Sequence, residues 1–97
     1  MFYNARLYDI FIINVCVMRF EVSYQYFFES ESADDSFRFS NRAEALERFN
    51  HFRDIINHQW LPMMRANADA SLEIVDEPDF YGVINHATGE WVKTTLI

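Results

Sequence analysis

The segment RFEVSYQYFF, Arg19 to Phe28, limits the fold more than any other stretch. Phe20, Val22, Tyr24, Tyr26 and Phe28 fall on one side of an extended chain, and Arg19, Glu21, Ser23 and Gln25 on the other. Side chains alternate faces only in a strand, so this spacing predicts a strand with one buried face. A strand of that kind needs partners along its edges and a cover for its apolar side. Phe27 breaks the rule, being apolar on the polar side.

The partner follows directly. Ser36-Phe37-Arg38-Phe39-Ser40 is a shorter alternating run. Between the two lies ESESADDSF, Glu29 to Phe37, with four carboxylates in nine residues and no cation. The simplest expectation is a β-hairpin with this acidic stretch as its loop and Phe37 already in the returning strand.

A helix is predicted next. Asn41 can cap it, with Glu44 three residues on as in a capping box and Ser40 as the rival cap. Ala45, Leu46, Phe49, Phe52, Ile56 and Trp60 recur at three and four, which makes one apolar stripe for the sheet. Pro62 disfavours helical geometry at Leu61, so the helix is expected to end there. Met63 to Ala70 then reads as a connector with room for one more turn. Ser71 to Asp76 is a short strand, and Asp76 to Asp79, DEPD, a turn. Phe80 to Asn85 and Glu90 to Thr94 flank His86-Ala87-Thr88-Gly89, where Gly89 can adopt the left-handed conformation of a hairpin turn.

The fold class is therefore α+β: an antiparallel sheet of four to six strands packed on one main helix, in the order hairpin, helix, strands. The 97 residues make a single domain, 1–97, and 51% hydrophobic with 18% aromatic content supports a real core. Residues 1–17, MFYNARLYDIFIINVCV, are too short and too polar to span a bilayer and make a poor signal peptide. They are expected to form an extra edge strand; the alternative is an extension upstream of a working start at Met18.

Charge narrows the function classes. A net charge of −7 and a pI near 4.7 disfavour direct binding to nucleic acid and favour basic partners. Cys16 is the single cysteine, which fits a reducing, cytoplasmic setting and a small buried hydrophobe. No nucleophile elbow, phosphate loop or cysteine pair is present, so neither enzyme activity nor a cofactor is expected. On the helix, Glu47, His51, Asp54 and His58 fall within roughly 60° of one another, but eleven residues of helix span about 16 Å. That is too long for one ion, so a solvent-facing stripe is the simpler reading and no metal site is assigned. His86, near Asp79 and Glu90 in sequence, reads as an exposed turn histidine.

The acids form two groups, Glu29, Glu31, Asp34 and Asp35 in the first connection and Asp76, Glu77 and Asp79 in the second. If both connections lie at one end of the sheet, they make a negative rim that a basic protein surface fits. Tyr81 and Trp91 are spare aromatics beside this charge and are expected interface anchors. Taken together, MRFEVSYQYFF, SNRAEALERFNHFRDI and YGVINHATGEWV resemble the small α+β proteins of phages and mobile elements. Some of those are acidic anti-CRISPR and other anti-defence inhibitors. That resemblance implies an inhibitor that occupies the nucleic-acid-binding surface of a host complex in the cytoplasm. Two alternatives stand beside it: a structural or homo-oligomer-forming module, and a small metal-dependent domain using the Glu47 to His58 stripe.

Overall fold

The computed structural model describes residues 18–67 and 71–97. The expectation of an edge strand within residues 1–17 lies outside these. Five strands and one helical arm follow in chain order: β1 (Phe20–Phe28), β2 (Glu31–Phe39), α1 (Arg42–Ile55), a π-helical turn (Ile56–Trp60), α2 (Leu61–Asn67), β3 (Leu72–Glu77), β4 (Phe80–Asn85) and β5 (Glu90–Leu96). The strands form one sheet in the order β2-β1-β5-β4-β3. Every neighbouring pair is antiparallel, and the strand made last is the central one.

The alternation in β1 does what its spacing demands. Val22 is wholly buried under the helices, with Phe20, Tyr24 and Tyr26 packed around it. β5 supplies Val92, Thr94 and Leu96 to the same face, and β4 supplies Tyr81, Val83 and Asn85. From the other side come Ala45, Phe49, Phe52, Ile56, Leu61 and Met64. Phe52 stacks on Tyr24 with ring centres 4.7 Å apart. Burying a side chain such as Phe49 contributes roughly 1.5–3 kcal/mol.

The helix begins as its cap residue predicts. Asn41 is extended, and its Oδ1 accepts the Glu44 N–H at 2.9 Å. Its end does not follow the prediction. The helical course runs through Pro62 to Asn67 rather than stopping at Leu61. A proline ring collides with the carbonyl one α-turn back, and it has no N–H to donate. The wider π turn just upstream resolves both problems, and the Leu61 N–H reaches back five residues to the Ile56 carbonyl. The extra residue also rotates the apolar stripe: after Ile56 the next buried side chains are Leu61 and Met64. Trp60 moves to the flank, where it packs on Tyr26 and Phe28.

The first connection differs more. Phe28 pairs with Glu31, so the hairpin loop is only Glu29-Ser30. Both residues have positive φ, 51° and 67°, the sign that a type I′ turn requires at its two central positions. Most of ESESADDSF is therefore strand β2, in continuous register with β1 over nine pairs. Asp, Glu and Ser are poor strand formers because they usually have no face to bury. Over residues 31–36 this edge strand is exposed on both faces, which removes that objection, and charge there is a known guard against unwanted pairing.

Candidate interaction surface

The two acidic groups are not on one rim. β1 and β4 are both antiparallel to β5, hence parallel to each other. The Glu29-Ser30 turn follows the end of β1, whereas Pro78-Asp79 precedes the start of β4, so the two turns lie at opposite ends of the sheet. Two contacts mark these ends: the Glu29 N–H donates to Glu90 Oε1 at 3.3 Å, and the Leu96 N–H donates to the Asp79 carbonyl at 2.8 Å. Whether the two connections share an end, which sequence spacing leaves open, is decided by strand direction: they do not.

The groups differ in compensation as well. Asp76 accepts a two-pronged contact from Arg53 at 2.7 and 2.8 Å, and Asp79 is 2.8 Å from Arg42. Helix arginines thus neutralise two of the three acids around DEPD, while Glu77 lies on the opposite face beside Phe80. Among the described residues, Glu29, Glu31, Asp34 and Asp35 have no ion pair. Glu31 and Asp35 lie on the helix side of β2 and Asp34 on the other, so negative charge borders both faces of this edge.

Tyr81 is not a spare aromatic. It is 3% exposed on the helix side, its hydroxyl donates to Asn57 Oδ1, and the Arg53 guanidinium lies 4.9 Å from its ring centre. Burial raises its pKa above the usual tyrosine value, and the nearby Asp76 charge adds to that. Trp91 does lie on the open face, half-buried, with the Lys93 ammonium 4.8 Å from its ring centre.

That open face carries no described helix, and its two halves differ. Over β2 and β1 it is polar: Arg38, Ser36, Asp34 and Ser32 face Glu21, Ser23, Gln25 and Phe27. Over β5 and β4 it is mixed, with Trp91, Ile84, Gly82 and Phe80 beside Lys93 and Thr95. Phe27, Trp91 and Ile84 form one continuous cross-strand row. Gly82 lies beside it because a Cβ there would meet the Lys93 Cβ and the Val92 carbonyl at 3.0 Å, with the Phe80 ring at 3.4 Å. A shallow cavity of about 170 Å³ lies between Phe80, Gly82, Ile84, Trp91 and Lys93. Sequence reading noted Phe27 and Trp91 separately; Ile84 and Phe80 were missed because the turn residues hide which phase of β4 faces which side.

The helix stripe assembles no metal site. Glu47, His51, Asp54 and His58 are all exposed, and no described group of three or more such side chains is placed to hold a metal ion. His58 Nδ1 lies 2.8 Å from the Asp54 carbonyl one turn back. His86 pairs across strands with Glu73, far from Asp79, which lies at the other end of β4. No helix among the described residues is long and apolar enough to cross a membrane.

Among the described residues the architecture defines a class: a five-stranded antiparallel sheet with one face under a helical arm and an acidic strand, β2, at its edge. No model of a known protein family matches the chain, and no curated protein or solved structure matches it either.

Proposed function

We propose that the chain is a non-enzymatic interaction protein that binds a basic protein surface through the β2 edge. The observation that carries this reading is the asymmetry of compensation: Asp76 and Asp79 of DEPD have arginine partners, whereas Glu29, Glu31, Asp34 and Asp35 have no ion pair among the described residues. Uncompensated charge of one sign steers an oppositely charged partner and raises the association rate. At the edge of the described sheet, β2 adds a row of backbone donors and acceptors that an incoming segment can use. Inhibition of a host nucleic-acid-binding complex, as in the phage and mobile-element proteins that the element order resembles, is the biological role proposed. Asp76 and Asp79 are left out of the contact surface, since binding there would first break two ion pairs.

A pull-down from host lysate at low and high salt tests this. The chain should retain a basic protein at low salt and lose it at high salt. Glu31→Gln, Asp34→Asn and Asp35→Asn together should abolish the capture, and Asp76→Asn with Asp79→Asn should leave it intact. Unchanged capture by the β2 triple variant overturns the reading.

A further inference from the structure

The carboxylates of β2 are spread over both of its faces, but its backbone groups sort by residue. Phe28 and Glu31 close the two-residue turn, so they exchange both backbone bonds, and the exchange recurs at every second pair along the strands. Glu31, Ala33, Asp35, Phe37 and Phe39 therefore direct their N–H and C=O groups at β1, and Ser32, Asp34, Ser36 and Arg38 direct theirs outward. Contacts on the far side of β1 fix the same phase. Glu21, the partner of Arg38, exchanges both bonds with Ile97, so it turns away from β2. We infer that the β2 edge takes an extended basic segment of the partner as a further antiparallel strand. This rests on the acidic-edge reading and adds the occupant's shape and charge pattern.

The pattern follows from register. Side chains opposite one another in an antiparallel pair share a face, and opposite charges there attract. A segment bonded to Ser32, Asp34 and Ser36 meets Asp35 and Glu31 on the helix side and Asp34 on the open side. Read along its own direction, it carries two consecutive cations, opposite Asp35 and Asp34. A third follows three residues after the second, opposite Glu31. Ala33 leaves room for a larger apolar neighbour, and a cation opposite Arg38 would meet a like charge. Residues 31–36 are exposed on both faces, so both rows of incoming side chains have space. Two separate features thus select one ligand: the carboxylates select a basic chain, and the outward backbone row selects an extended one. A basic helix would satisfy the first and leave the second unused.

Amide hydrogen exchange in the full chain tests this with the synthetic peptide Thr-Arg-Arg-Val-Thr-Arg-Val-Thr, whose cations have that spacing. Before peptide is added, the Ser32, Asp34 and Ser36 amides should exchange fast, while those of Ala33 and Asp35, bonded to β1, are protected. Saturating peptide should slow the first three by about tenfold or more. Ser32→Pro retains all four carboxylates and the bonds to β1, because its N–H lies on the outer side, where edge strands tolerate proline. With Ala33 and Asp35 still protected as proof of folding, that variant should bind the peptide about tenfold more weakly. N-methylation of the peptide's third and fifth residues, whose N–H groups face β2, should do the same, and N-methylation of its second and fourth should not. Protection of Ser32, Asp34 and Ser36 before peptide is added means a filled edge and overturns the proposal. Binding that leaves those amides fast, or that ignores Ser32→Pro and the N-methyl groups, overturns strand addition while the acidic-edge reading stands. So does failure of the peptide to bind beside continued salt-sensitive capture of a basic protein. The acidic-edge reading itself falls on a different result, unchanged capture by the β2 triple variant.

Discussion

Tyr24 and Tyr81 lie side by side with Thr94 between them, in one row across the helix face of the sheet. Burial is the main reason that each hydroxyl keeps its proton above the ordinary value of 10.0. For Tyr24 the contact with Trp60 acts the other way and Tyr26 adds to the rise. A raised pKa in the folded state means that the folded chain holds these protons where the unfolded chain has lost them. The associated stability is complete below pH 10 and declines as pH climbs through the raised values. Denaturant midpoints should fall above pH 10, and Tyr24→Phe with Tyr81→Phe should flatten that decline. A midpoint independent of pH between 10 and 12 contradicts the assignment.

At the scale of the element, the helical arm shows how far local rules reach. Asn41 and the spacing from Ala45 to Ile56 were legible because capping and periodicity are properties of neighbouring residues. Continuation past Pro62 was not, because a π turn leaves no composition signal and shows itself only in a five-residue step from Ile56 to Leu61. The step has an energetic consequence. Met64 is 1% exposed, so Met64→Ala should cost about 2–5 kcal/mol by chemical denaturation. Met63→Ala, one residue away and half-exposed, should cost well under that. Equal effects contradict a packed second helical segment. β2 failed for the complementary reason: Ser32, Asp34 and Asp35 look like loop residues, and only the pairing with β1 makes them a strand.

For the molecule as a whole, the fold class followed from sequence alone, while the candidate surface did so only in part. Alternation and turn residues give strand number and order along the chain; they are silent on which strands become neighbours. The position of β5 between β1 and β4 separates the two acidic connections, and the helix arginines remove most of the charge from one of them. Charge left on β2 acts on stability too. Neutralising Glu31, Asp34 and Asp35 should raise the unfolding midpoint at low ionic strength, with a gain up to about 1 kcal/mol as self-repulsion falls. The gain should vanish near 1 M salt, where screening shortens to about 3 Å. A gain that persists at high salt assigns the effect to strand propensity instead of charge.

The central place of β5 has a consequence for synthesis. A ribosome releases the β1–β2 hairpin, the helical arm and the β3–β4 hairpin before the strand that joins them. Until Glu90 to Leu96 emerges, the inner edge of β1 and the inner edge of β4 face each other with nothing between. The nascent chain thus holds two half-sheets with open apolar flanks, each a template for pairing with the wrong strand. Closure of the sheet waits for β5, so the two halves stay unjoined until Glu90 to Leu96 has been made, and that interval is when the chain is most open to mispairing.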